Sequence, residues 1–194
     1  MDCHQPTGSF KIRGVGKRCQ EAAAAGAEQF IIASGGNAGL ATAYAGWELG
    51  IKTTVVVPQT TKESMRLKLQ HLGAEVIVFG KVWDETNVYA QSLVKKNKAV
   101  YIPPFDHPTI WAGNASVIEE CVRQMNTTPD AVVVAVGGGG YFCGVAEGLQ
   151  NSVWKNCQII TAETDGAASL KTALAQQSWV SLDAINSIAS SLGA

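Results

Sequence analysis

Three stretches of this chain hold residue types and spacings that could do chemistry. Lys11 lies within Gln5-Pro6-Thr7-Gly8-Ser9-Phe10-Lys11-Ile12-Arg13-Gly14. Ser34-Gly35-Gly36-Asn37-Ala38-Gly39 forms a second stretch, and Gly137-Gly138-Gly139-Gly140 a third. A lysine attacks a carbonyl only as the neutral amine, so it needs burial or a neighbouring cation. Phe10 is placed to desolvate Lys11, and Arg13 to supply the charge. A solvated surface lysine is the plain alternative when Lys11 is taken alone.

The four glycines follow Ala131-Val132-Val133-Val134-Ala135-Val136, which reads as a buried strand, and precede a helical stretch from Tyr141. Glycines let the backbone turn sharply and aim several N–H groups at one anion, and the helix dipole adds to the attraction. A tight strand-to-helix turn is the plain alternative. Four glycines at the C-terminal end of a strand favour the anion. No Gly-Lys-Ser/Thr follows, which excludes a P-loop, and Phe142 stands where a dinucleotide fingerprint needs its third glycine.

The stretch from Ser34 to Gly39 also joins a strand to a helix. Asn37 can offer its amide to a ligand or cap the helix that begins there. Open α/β sheets bind ligands at the C-terminal ends of their strands, which favours the ligand. An amine, a polar loop and an anion cradle together suit a ligand with both a carbonyl and a phosphate. Cys143 is close to the cradle and reads as a small core residue rather than a reactive thiol. Trp47, Trp83, Trp111, Trp154 and Trp179 show no stacking pattern and read as packing residues.

The elements that must position these residues alternate. Strands are predicted at Phe30 to Ala33, Thr53 to Val57, Glu75 to Phe79, Val100 to Ile102, Ala131 to Val136 and Gln158 to Thr161. Most are continuously apolar, as buried parallel strands are. Helices are predicted near 10–25, 37–49, 61–72, 84–96, 109–125, 141–151 and 167–177. Ser9 is the expected cap of the first helix and Gly26 its end, Gly50 and Gly73 follow later helices, and Thr60 or Thr61 is placed to open another. The alternation predicts an α/β fold of parallel twisted sheets with flanking helices. Pro103, Pro104 and Pro108 forbid a continuing helix or central strand and mark an internal boundary.

The chain has 194 residues, 46% of them hydrophobic and 16% charged, with a net charge of -1. That balance favours neither nucleic acid nor an anionic membrane, and no apolar run is long enough to span a bilayer. Five cysteines, an odd number without a C-x-x-C pair, and three scattered histidines argue against a disulfide framework or a zinc site. With no signal segment ahead of the first motif, a cytoplasmic protein is expected.

In their order, the three motifs resemble those of the fold-type II enzymes that use pyridoxal 5'-phosphate. The match is to the serine/threonine dehydratases, in the L-serine dehydratase and serine dehydratase-like branch. Tyr101-Ile102-Pro103-Pro104-Phe105-Asp106 and Ala162-Glu163-Thr164 also look like that branch. The resemblance implies a two-domain, tryptophan synthase β-like fold, with a small domain at 10–106 and a partial large domain from 1–9 and 107–194. It implies that Lys11 binds the cofactor covalently and later takes the substrate Cα proton, and that Phe10 packs by the pyridine ring. Asn37 is expected at the 3'-hydroxyl, and Gly137, Gly138, Gly139 and Gly140 with Tyr141 at the phosphate. Ser34, Gly35, Asn37 and Ala38 are expected around the substrate carboxylate, with Phe105 at the cleft. Glu163 and the carbonyls of Ala167, Leu192 and Ala194 resemble a monovalent-cation (K+) site.

The implied activity is an L-serine ammonia-lyase, with a small amino-acid substrate and a homodimeric assembly. A threonine-preferring dehydratase, and an inert relative that binds the cofactor or a partner chain, fit the same motifs. Serine racemases of the family place a serine where Gly35 stands, so racemisation is not expected. Family members extend beyond both ends of this chain, including the Cys or Ser that meets the pyridine nitrogen. The resemblance therefore implies an incomplete core and a poor catalyst by itself.

Overall fold

A computed structural model describes residues 1–94, 98–182, 184–189 and 192. The chain forms two compact units, Met1–Pro104 and Phe105–Ala194.

The first unit is a parallel sheet between helices. After a 3-10 turn at Asp2–His4, it runs α1 (Lys11–Ala24), β1 (Gln29–Ala33), α2 (Asn37–Leu49), β2 (Lys52–Val57) and α3 (Glu63–His71). It continues through β3 (Glu75–Val78), α4 (Trp83–Leu93) and β4 (Ala99–Tyr101). The strand order is β3-β2-β1-β4, every neighbouring pair is parallel, and Ala33 lies in register with Val56. Side chains alternate across a strand. Phe30 and Ile32 therefore join Val15, Ala41, Val55 and Leu69 on one side, while Ile31 and Ala33 meet Val56 and Ala90 on the other. Both faces of β1 are thus covered, which is why its sequence is continuously apolar.

The second unit comprises α5 (Pro108–Gln124), β5 (Ala131–Ala135), α6 (Gly140–Gln150), β6 (Gln158–Ala162) and α7 (Ser169–Gln176). β5 and β6 pair in parallel, Ala131 opposite Gln158. Val134 packs with Ile118, Val145, Leu149 and Trp154, whereas Val133 and Ile160 are exposed.

Most element limits lie within one or two residues of those predicted. The end expected for α4 at residue 96 lies outside the described residues. Gly26, Gly50 and Gly73 have positive φ angles at helix ends, where a side chain would be strained. The predicted N-caps are different. Phe10, already helical at φ -58° and ψ -21°, precedes α1, so Ser9 is not the cap and its buried hydroxyl lacks a protein partner. Asn37 is the first residue of α2 and makes no cap bond, because Gly36 holds the cap position. Lys62, not a threonine, precedes α3.

Candidate functional site

In the first unit, Lys11 opens α1 with its ammonium inside the fold. Nζ donates to the Pro104 carbonyl at 2.6 Å and lies 5.4 Å from the centroid of the neighbouring Phe10 ring. Burial strips water from the charged form and lowers the Lys11 pKa to about 8. Roughly a tenth of the amine is then neutral at pH 7, several hundred-fold more than for an unperturbed lysine. The expected help from Arg13 is not what the structure shows. Its buried guanidinium is engaged by Asp2, with Nη2 2.7 Å and Nε 3.0 Å from Oδ1, and a paired cation acts weakly on a neighbour.

The loop from Ser34 to Gly36 leaves the C-terminal end of β1 and leads into α2. Ser34 Oγ accepts the Gly36 N–H at 3.3 Å. Gly39 has no room for a side chain, because a Cβ there would fall on the Ser34 carbonyl oxygen. Gly35 is equally confined: a Cβ would fall on the Thr61 hydroxyl and lie 2.8 Å from Thr61 Cγ2. Ala38 is buried under the loop and Asn37 is exposed, so its amide is available to a ligand. Trp83 donates its indole N–H to the Ala33 carbonyl at 2.8 Å, anchoring the strand end beneath the loop.

In the second unit, Gly137 to Gly140 link β5 to α6. Gly139 has φ 78° and ψ -19°, a left-handed conformation that glycine alone adopts without strain. A Cβ on Gly138 would lie 2.5 Å from Phe105 Cγ, and one on Gly140 would fall on the Phe105 carbonyl oxygen. A Cβ on Gly137 would lie 2.9 Å from the Leu192 carbonyl oxygen. The cradle is therefore packed as bare backbone, at the N-terminal, positive end of an 11-residue helix. Tyr141, the second residue of that helix, packs its side chain against the Val134 cluster.

Two supports of this loop, both on α5, carried no distinguishing signal in the sequence. Asn114 Nδ2 donates to the Gly140 carbonyl at 3.0 Å from a fully buried position. Trp111 Nε1 donates to the Phe105 carbonyl at 3.0 Å. Trp111 and Trp83 are thus hydrogen-bonding anchors as well as packing residues. Burial, then the charge of Asp106, raises the Cys143 pKa, in line with a small packing residue.

Glu163 is held by the backbone that opens α7. Its two carboxylate oxygens accept the Leu170 and Lys171 N–H groups, each at 2.8 Å, and so cap α7. Ala167 is buried with its N–H on the Thr164 carbonyl, Leu192 sits by Gly137, and Ala194 lies outside the described residues. Among the described residues no three His, Cys, Asp or Glu side chains gather as metal ligands.

A half-buried, easily deprotonated amine at a helix start fits an aldehyde. A side-chain-free cradle at a helix N-terminus fits a phosphate dianion. Each lies on a parallel α/β scaffold, in a separate unit, so the chain is of the parallel α/β class. The chain belongs to the family of pyridoxal-phosphate dependent enzymes, whose pattern it matches over residues 1–194.

Among curated relatives it is 48% identical over 190 residues to the human protein named serine dehydratase-like, covering 98% of this chain and 58% of that one. It is 45% identical over 194 residues to human L-serine dehydratase/L-threonine deaminase, covering 100% and 59%. Among solved structures, a fungal L-serine ammonia-lyase from Rhizomucor miehei superimposes with a TM-score of 0.92 at 34% identity, covering 100% of this chain and 62% of that one. The chain thus spans about three fifths of the length of these relatives.

Proposed function

We propose that this chain carries the catalytic core of a pyridoxal-phosphate dependent L-serine ammonia-lyase. It would remove water from L-serine, and from L-threonine as a second substrate, to give pyruvate or 2-oxobutanoate with ammonia. The observation that carries the proposal is the half-buried Lys11 amine, with its pKa lowered to about 8. The likeness to the serine dehydratase-like protein and to L-serine dehydratase/L-threonine deaminase supports the choice of substrate.

Bound pyridoxal phosphate supplies an electron sink for negative charge at the substrate Cα. Lys11 would hold the cofactor through its amine and, once freed, would take the substrate Cα proton as general base. Gly137 to Gly140 and the Tyr141 N–H would hold the phosphate, Phe10 would flank the ring and Asn37 would meet the 3'-hydroxyl. The loop from Ser34 to Ala38 orients the substrate carboxylate at the positive end of α2. Gly35 has no side chain with which to return a proton, which favours elimination over inversion. The β-hydroxyl leaves as water, and the released enamine hydrolyses to the keto acid and ammonia.

The proposed setting is a cytoplasmic homodimer. The described cysteines are all free thiols, and no helix among the described residues is long and apolar enough to cross a membrane.

The test is borohydride reduction of the chain incubated with pyridoxal phosphate, followed by peptide mass spectrometry, alongside pyruvate and 2-oxobutanoate assays. The pyridoxyl label is expected on Lys11, and Lys11→Ala is expected to abolish keto-acid formation. A label on another lysine, or undiminished turnover in Lys11→Ala, would overturn the proposal. The ratio of serine to threonine turnover separates a serine-preferring from a threonine-preferring enzyme.

A further inference from the structure

β1 and β2 are adjacent parallel strands, and Ala33 pairs with Val56 near their C-terminal ends. The segments that leave them therefore emerge side by side. From β1 comes Ser34-Gly35-Gly36, and from β2 comes Pro58 to Lys62. The second is held at several points. Thr61 N–H donates to the Pro58 carbonyl at 3.0 Å, Gln59 N–H to the Gly80 carbonyl at 2.9 Å, and Arg66 Nη2 to the Gln59 carbonyl at 2.7 Å. Thr61 thus reaches the first loop from a fixed turn, and its side chain is half-buried there.

Its position relative to Gly35 is specific. A Cβ built on Gly35 would clash with the Thr61 hydroxyl and lie 2.8 Å from Cγ2 and 3.2 Å from Cβ. The side chain that position 35 lacks is replaced in space by that of Thr61. Filling that volume does not require a hydroxyl, since valine has nearly the same shape. The Gly35 Cα can neither donate to nor accept from it.

Resting on the ammonia-lyase reading, we propose that Thr61 is a further substrate-binding residue. Its hydroxyl stands in for a side chain at position 35 and donates a hydrogen bond to the carboxylate of the amino-acid substrate.

The contact is tested first without cofactor, by a thermal-unfolding cycle of Gly35→Ala, Thr61→Ala and the double variant. Overpacking at position 35 is expected to lower the midpoint by on the order of 5 °C, and the double variant to recover most of that loss. Additive losses would show that the two positions do not share this volume, and would overturn the proposal.

The hydrogen bond is tested on the pyridoxal-phosphate-loaded chain with L-alanine, which has a carboxylate and no leaving group, and with ethylamine, which has neither. Thr61→Val is expected to weaken L-alanine binding about tenfold or more, the range for a hydrogen bond to a charged group. Ethylamine binding should not change, and Thr61→Ser should restore L-alanine binding. Unchanged L-alanine affinity in Thr61→Val would overturn the role of Thr61 alone. Equal weakening of both ligands would do the same, by showing a packing effect. Failure of the loaded wild-type chain to bind L-alanine would overturn the ammonia-lyase reading and this proposal with it.

Discussion

Lys11 donates its ammonium proton to the Pro104 carbonyl at 2.6 Å, across 93 residues of sequence. The bond fixes the amine at the base of α1, and the surrounding fold removes water from it. Since the folded-state pKa is about 8, against 10.5 for the ordinary side chain, the unfolded chain binds more protons between those values. Stability should therefore rise with pH from about 8 to about 10.5. Below that window the buried charge is a penalty of at most about 3 kcal/mol, partly offset by the Pro104 bond. Lys11→Met should lack this rise, and wild type should gain on it across the window. Urea midpoints at pH 7, 8, 9 and 10 for both proteins check the sign.

Gly139 holds φ 78° with nothing within 4 Å of a hypothetical Cβ, so a substitution there strains the backbone without a steric collision. Gly139→Val is expected to cost about 1–2 kcal/mol in backbone energy, or to relax the turn and misdirect its N–H groups. Affinity for pyridoxal phosphate should fall at least tenfold while pyridoxal, lacking the phosphate, changes little. Equilibrium dialysis with both compounds measures the ratio. Equal losses for the two would show that the loop acts through folding alone.

Asn114 is fully buried and donates to the carbonyl that ends the glycine run. Replacing it with leucine removes that hydrogen bond, at a net cost of about 1 kcal/mol. Asn114→Leu should lower the unfolding midpoint, and should weaken inorganic phosphate or pyridoxal phosphate binding more than pyridoxal binding. Differential scanning calorimetry and the same dialysis assay report the two effects.

Gly35 offers no acid or base group, and Thr61 fills the space beside it. Incubation of the loaded chain with L-serine should therefore give pyruvate without D-serine. Chiral chromatography of the residual serine checks this, and D-serine formed as fast as pyruvate would contradict it. Gly35→Ser alone should lower stability before it changes the products, because its Cβ meets Thr61.

The strands and helices were legible in the sequence because their signals are local. A strand buried on both faces, such as Phe30 to Ala33, reads as an unbroken apolar run. Helix ends at Gly26, Gly50 and Gly73 show because a positive φ selects glycine. The amine, the polar loop and the glycine run were legible for the same reason, since each is a short segment whose residue types restrict its chemistry.

The partners were not legible, because they are set by contacts between segments far apart in the chain. Only the folded structure gives Arg13 to Asp2, so that burial, not a cation, accounts for the low Lys11 pKa. Only the fold places the Glu163 oxygens on α7, Trp83 under Ala33 at a separation of 50 residues and Asn114 under Gly140 at 26. Sequence preference put a cap at Ser9 and Asn37, where the observed backbone offers no cap bond. Thr61 looked like a helix-start residue, and only the parallel pairing of β1 with β2 brings it against Gly35. Period and backbone conformation are properties of neighbouring residues, whereas burial and hydrogen-bond partners exist only after the sheet has aligned its strand ends.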